Sequence, residues 1–176
     1  MGRAWPNVRS IRQRSYRCYV TTALKGNATE GAVLRAFVVR DFAVLLPFGE
    51  GHSYDLVVHL RGGYFLRIQC KTARRRNGCV VFNSRSTDHG RGEGNYLGLA
   101  DVFGVYCPSA DSVYLVPVDQ VPTSVVFLRL EPTRNNQRSG IRYAADYEID
   151  RWSVDALCEI VARAPRHGTA DLRVVG

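Results

Sequence analysis

Four side chains far apart in order, Glu30, Asp55, Gln69 and Lys71, have the types needed to hydrolyse a phosphodiester bond. That reaction needs an activated water and neutralisation of charge developing on the phosphate. Mg²⁺ supplies both when few carboxylates hold it and room remains for water and phosphate oxygens, and Mn²⁺ is a possible substitute. In that chemistry Asp55 is the natural central ligand. Glu30 holds metal directly or through water, and Gln69 offers only its neutral amide oxygen. Lys71 orients the attacking water or stabilises charge on the phosphate. Each residue also has an ordinary reading. Asp55 can end a strand, Gln69 can be an exposed strand polar, and Lys71 can lay its stem along the surface. Glu30 can close a capping box from Asn27.

The elements decide whether these groups meet. Residues Thr22 to about Arg40 follow a helical pattern, in which Val33, Leu34 and Phe37 fall on the side of Glu30. A carboxylate on a packed face is costly unless something cationic meets it. "DFAVLLPF" reads as a short strand ended by Pro47, and "GEGHS" as a loop. "YDLVVHL" and "YFLRIQCKTA" read as two strands of a hairpin turning at "RGG". Strand alternation then puts Phe65, Arg67, Gln69 and Lys71 on one face, with Asp55 across from the Gln69–Lys71 end. "YLGLA" reads as a short helical turn, and "VFGVYC" and "SVYLVPV" as two strands around the turn "PSAD". "VVFLRL" is a further apolar run, and "DRWSVDALCEIVARA" a closing helix stopped by Pro165. The expected class is α/β with a mixed sheet. The expected organisation is a basic arm at 1–20, a main domain at 21–150, a helix at 151–165 and a tail at 166–176.

Charge narrows the partners. The chain has 176 residues and a formal net charge of +8. Arg3, Arg9, Arg12, Arg14, Arg17 and Lys25 precede any acidic residue. Lys71, Arg74, Arg75, Arg76, Arg85 and Arg91 make a second cluster, and Arg129, Arg134, Arg138 and Arg142 a third. Such clusters attract phosphates by counterion release, so nucleic acid is preferred over a merely solvated Arg-rich surface. Arg74, Arg75, Arg76, Arg85, Arg14 and Arg17 are the expected phosphate contacts. The five cysteines form no CxxC and read as reduced thiols, which points to the cytoplasm or nucleoid. No apolar run is long enough to span a membrane, and the first twenty residues lack the apolar stretch of a secretory signal.

Taken together, Glu30, Asp55, Gln69 and Lys71 resemble the PD-(D/E)XK nuclease superfamily. The order is a helix Glu, an Asp opening a hairpin strand, then (E/Q)xK on the next strand. The likeness is closer to the branch of homing endonucleases associated with group I introns. It lies in "KGNATEGAVLRAF", "PFGEGHSYDLVV", "LRIQCKTAR", "ADVFGVYCPSADSVYLVPV" and "LRLEPTRNNQRSGIRYAADYEI", covering about Thr22 to Ile149. Two departures stand out: Tyr54 replaces the Pro of "PD", and Gln69 replaces the usual second acid. That branch tolerates the Gln, which removes one negative charge and implies weaker metal binding. The resemblance implies a restriction-endonuclease-like core with helices flanking a mixed sheet, Mg²⁺ dependence and cleavage of double-stranded DNA. One site of this type cuts one strand, so a dimer or tetramer is implied. Archaeal Holliday junction resolvases resemble the same core, and a DNA-binding protein that does not cut is the other alternative. Asp101 matches an Asp of the family pattern and reads as structural before it reads as part of the site.

Overall fold

The computed structural model describes residues 21–49, 51–85, 94–132 and 139–165. Helix α1 spans Thr22–Val38. Its N-cap is Thr21, whose hydroxyl accepts from the Leu24 N–H at 3.2 Å. The alternative start at Asn27 therefore does not hold: Thr21 already satisfies a first-turn donor, and Glu30 stands mid-helix. Eight strands follow: β1 (Ala43–Leu45), β2 (Leu56–His59), β3 (Phe65–Thr72), β4 (Arg74–Arg76), β5 (Cys79–Asn83), β6 (Val102–Cys107), β7 (Ser112–Pro117) and β8 (Val125–Arg129). Helix α2, Val154–Arg163, is capped by Ser153 and leads to Pro165.

Five strands form one mixed sheet in the order β1-β2-β3-β6-β7, with β3 and β6 parallel and the other pairs antiparallel. The β2–β3 hairpin has the register Leu56↔Ile68 to His59↔Phe65. It turns through Arg61–Gly63, where Gly62 and Gly63 take φ of 72° and 78°, a region that other residues adopt only at a cost. Alternation sends Leu56, Val58, Leu66 and Ile68 to the face covered by both helices. There they meet Val33 and Phe37 of α1 and Leu157 and Ile160 of α2. Each such side chain, fully buried, contributes about 1.5–3 kcal/mol. Helix α1 comes unusually close to the sheet at Gly104, where a Cβ would lie 2.8 Å from Val33 Cγ1 and 2.9 Å from Ile68 Cγ2.

A second, antiparallel sheet has the order β4-β5-β8. Arg74–Arg76, one residue beyond β3, form the edge of this sheet. The hairpin turns at Asn77 and Gly78, both at positive φ (49° and 71°), the geometry that Asn-Gly favours. Val80, Phe82, Val126 and Leu128 bury against Phe103, Val105, Tyr114 and Val116 on the side of the large sheet away from the helices. "YLGLA" is a single turn with helix-like bonds, the Leu99 and Ala100 N–H groups both donating to the Tyr96 carbonyl, but Gly98 takes φ of 77° and no helix continues. The architecture is the expected one, a mixed sheet flanked by helices in a restriction-endonuclease-like α/β fold. Among the described residues no helix is long and apolar enough to cross a membrane.

Candidate active site

The hairpin register carries Asp55 to the end of β3. Its N–H donates to the Ile68 carbonyl at 2.8 Å, one step beyond the Leu56↔Ile68 pair, so Asp55 stands opposite Gln69. Asp55 Oδ2 accepts from the Cys70 N–H at 2.6 Å and from Gln69 Nε2 at 2.6 Å. These are short, charge-assisted bonds that fix the carboxylate. Gln69 Oε1 has no hydrogen-bond partner among the described residues.

Lys71 lies on the same face of β3 as Gln69, over the second core. Its Nζ donates to the Arg85 carbonyl at 2.9 Å and to the Tyr96 hydroxyl at 3.2 Å. The ammonium sits 4.5 Å from the Tyr96 ring centroid and 5.9 Å from that of Phe103, where a ring quadrupole favours a cation. Glu30 approaches from the other side, on α1. Its neighbour Thr29 is buried and shares a 2.6 Å hydroxyl–hydroxyl hydrogen bond with Thr72, which ties this turn of the helix to the end of β3.

Electrostatics link the groups across the rim of the sheet. Burial raises the Asp55 pKa above the usual carboxylate value, and the Cys70 N–H, the Lys71 charge and the Gln69 amide only partly oppose it. Glu30 is raised as well, first by burial and then by the negative charge of Asp55. Cys70 is pushed up by burial and by both carboxylates, so its thiol stays neutral. Two carboxylates whose ionisation burial makes costly, one of them raised further by the charge of the other, form with the Gln69 amide oxygen a set of hard oxygen donors suited to Mg²⁺. Among the described residues no three His, Cys, Asp or Glu side chains cluster as a self-sufficient metal cage.

The other candidates separate. Asp101 is buried and fully engaged: Oδ2 accepts from the Arg67 N–H at 2.7 Å and from Nε at 3.1 Å, and Oδ1 from an Arg67 terminal nitrogen at 2.7 Å. It braces β3 against the 96–101 turn. His52 bonds the Phe48 carbonyl through Nε2 at 2.8 Å. Arg74, Arg75 and Arg76 are exposed on β4. Arg85 Nε donates to the Thr123 carbonyl at 3.3 Å. Arg14 and Arg17 lie outside the described residues.

Two participants escaped the reading of the sequence. Cys70 looked like a packed thiol, yet its N–H anchors Asp55; the hairpin register alone would have pointed to that donor. Tyr96 is buried edge-on against Phe103 at 5.5 Å, and its hydroxyl also holds Lys71. No spacing along the chain signals that contact.

The sequence model of a family described as PD-(D/E)XK endonuclease matches residues 20–150. No curated protein matches the chain. A solved structure described as that of a bacterial homing endonuclease, I-Ssp6803I, superposes with a TM-score of 0.63 at 24% identity, covering 79% of this chain and 95% of that one. At that identity the likeness speaks for the fold, while the family match spans most of the chain and takes in all four of the residues first singled out. This chain belongs to the PD-(D/E)XK endonuclease family.

Proposed function

We propose that this protein is a metal-dependent DNA endonuclease, of the site-specific homing type, that acts on double-stranded DNA as a dimer or tetramer. The observation that carries the reading is the setting of Asp55: anchored through one oxygen by Cys70 and Gln69, raised by burial, and facing the charges of Glu30 and Lys71. Asp55, Glu30 and the Gln69 amide oxygen would hold Mg²⁺, with Mn²⁺ as a substitute. When bound, such a cation activates water and neutralises charge on the phosphate. The chain's own residues do the rest. Cys70 and the Gln69 Nε2 keep Asp55 in one orientation. An ammonium has three donors. Among the described residues Lys71 spends two on Arg85 and Tyr96, which leaves one N–H for a phosphate oxygen or the attacking water. Because one site cuts one strand, a double-strand break requires two copies of the chain. The absence of any disulfide among the four described cysteines fits a reducing compartment, the cytoplasm and its nucleoid.

The test is incubation of purified protein with supercoiled plasmid and Mg²⁺, with an EDTA control and with Asp55→Asn in parallel. Cutting by the wild type alone, abolished by EDTA, is the expected result. Binding without cutting would select a DNA-binding protein on a nuclease fold. Preference for a four-way junction over linear duplex, with symmetric nicks, would select a resolvase.

A further inference from the structure

The small sheet has two unlike faces. Its inward rows, built on Val80, Phe82, Val126 and Leu128, are core. The rows of the other face are Arg74–Val81–Phe127 and Arg76–Cys79–Arg129, with Asn83–Val125 beyond the first; Val81 is buried at the centre of this face, and Arg74, Arg76 and Phe127 are exposed around it. Side chains in a row are neighbours across strands, and rows on one face repeat every second residue. Phe127 is 56% exposed, so an aromatic ring stands in solvent beside the Arg74 row. None of the three strands contains an Asp or Glu. The side chains of Arg74 and Arg76 make no hydrogen bond or ion pair among the described residues. Among the described residues the Arg129 side chain spends only Nε, on the Glu131 carbonyl at 3.0 Å. Beside this face runs a groove of about 280 Å³, lined in part by Cys79, Phe127, Arg129 and Arg142.

Arg75 has the opposite parity. It belongs to the row Arg75–Val80–Leu128, on the core side, where its charge acts on the Tyr114 hydroxyl. The position of the sheet along the chain matters too. A single residue, Ala73, separates β3 from β4, so Arg74 follows Lys71 by three residues. Three residues reach no further than about 10–11 Å. A polyanion whose scissile phosphate meets Lys71 is therefore carried over the start of this face. Arg74 and Arg76 are separated along the strand by about 6.6 Å, a step comparable with that between successive phosphates of one strand.

We propose that the outer face of the β4-β5-β8 sheet is a DNA-docking surface for the duplex flanking the cut, with Arg74 and Arg76 on backbone phosphates, Phe127 packed against the sugar or base edge, and Arg75 outside the contact. This rests on the nuclease reading of the Lys71 site. It also sorts three adjacent arginines of identical charge by the side of the strand on which each stands. Antiparallel strands are wide enough to lie along a groove and read it, so the surface is also where sequence preference would reside.

The test measures binding of a short random-sequence duplex by fluorescence anisotropy in EDTA, across a salt series, for Arg74→Ala, Arg75→Ala and Arg76→Ala. All three remove the same charge from exposed positions, and thermal melts confirm that each is folded. Arg74→Ala and Arg76→Ala are each expected to weaken binding severalfold and to reduce the slope of log K against log salt by about 1. Arg75→Ala is expected to leave the slope unchanged. Equal losses from all three, or no loss from Arg74 and Arg76, overturn the docking surface. If the wild type cuts plasmid with Mg²⁺ in those cases, the nuclease reading stands without it. A wild type that neither binds nor cuts any DNA overturns both.

Discussion

Strand β3 carries two charged constellations, and they are built on opposite plans. At one end Arg67 and Asp101 close on each other: both carboxylate oxygens are taken, the guanidinium adds the Gly98 carbonyl at 2.7 Å, and the side chain of Asp101 is 1% exposed. At the other end Asp55, Glu30, Gln69 and Lys71 stay open. Both carboxylates have raised pKa values, and among the described residues one amide oxygen has no partner and one ammonium donor is unspent. A closed pair returns its desolvation cost within the fold. An open set defers that return to a ligand. Charge left incompletely neutralised, more than the presence of charge as such, marks the end of β3 where chemistry is proposed.

Variants can break or sharpen this contrast. The largest effect is expected from Lys71→Ala, which should reduce cleavage by about 10³-fold or more while DNA binding weakens no more than severalfold, measured by single-turnover cleavage beside anisotropy. At the closed end, Arg67→Ala leaves Asp101 buried and unpaired. It should cost about 3–5 kcal/mol in denaturant unfolding while the folded fraction keeps its turnover. If Arg67→Ala were neutral to stability, or if Lys71→Ala unfolded the protein, the division of labour along β3 would be wrong. Gln69→Glu restores the usual second acid and should lower the Mg²⁺ concentration for half-maximal cleavage by roughly tenfold, read from a metal titration. An unchanged requirement would remove Gln69 from the metal set. The smallest effect is expected from Tyr96→Phe. It keeps the ring beneath the ammonium but deletes one acceptor, and should lower kcat by roughly fivefold with KM and the melting temperature unchanged.

Much of this contrast was legible in the chain because it depends on local rules. The β2–β3 hairpin follows from apolar alternation and a Gly-Gly turn, and its register brings Asp55 opposite Gln69. Helix α1 follows from periodicity, which put Glu30 on the side that packs. What was missed depends on contacts between segments. The second sheet joins β4–β5 to β8, some forty residues downstream, and although the Asn77–Gly78 dipeptide was a readable hairpin signal, nothing local announces the third strand. The Tyr96–Lys71 contact spans 25 residues and exists only because the turn before Asp101 folds back over β3. The capping-box alternative at Asn27 arose because a short polar pattern competes with a stronger cap six residues earlier.

Gly104 takes part in none of these polar contacts, yet it sets the spacing on which they rest. The helix that bears Glu30 seats against β6 through a gap too narrow for one methyl group, against the stiff, branched side chain of Val33. An alanine there would behave as a shim under that helix, lifting one carboxylate from the other by tenths of an ångström with every polar atom intact. Metal affinity would then be adjustable from the apolar underside of the molecule, by a residue that touches neither cation nor DNA.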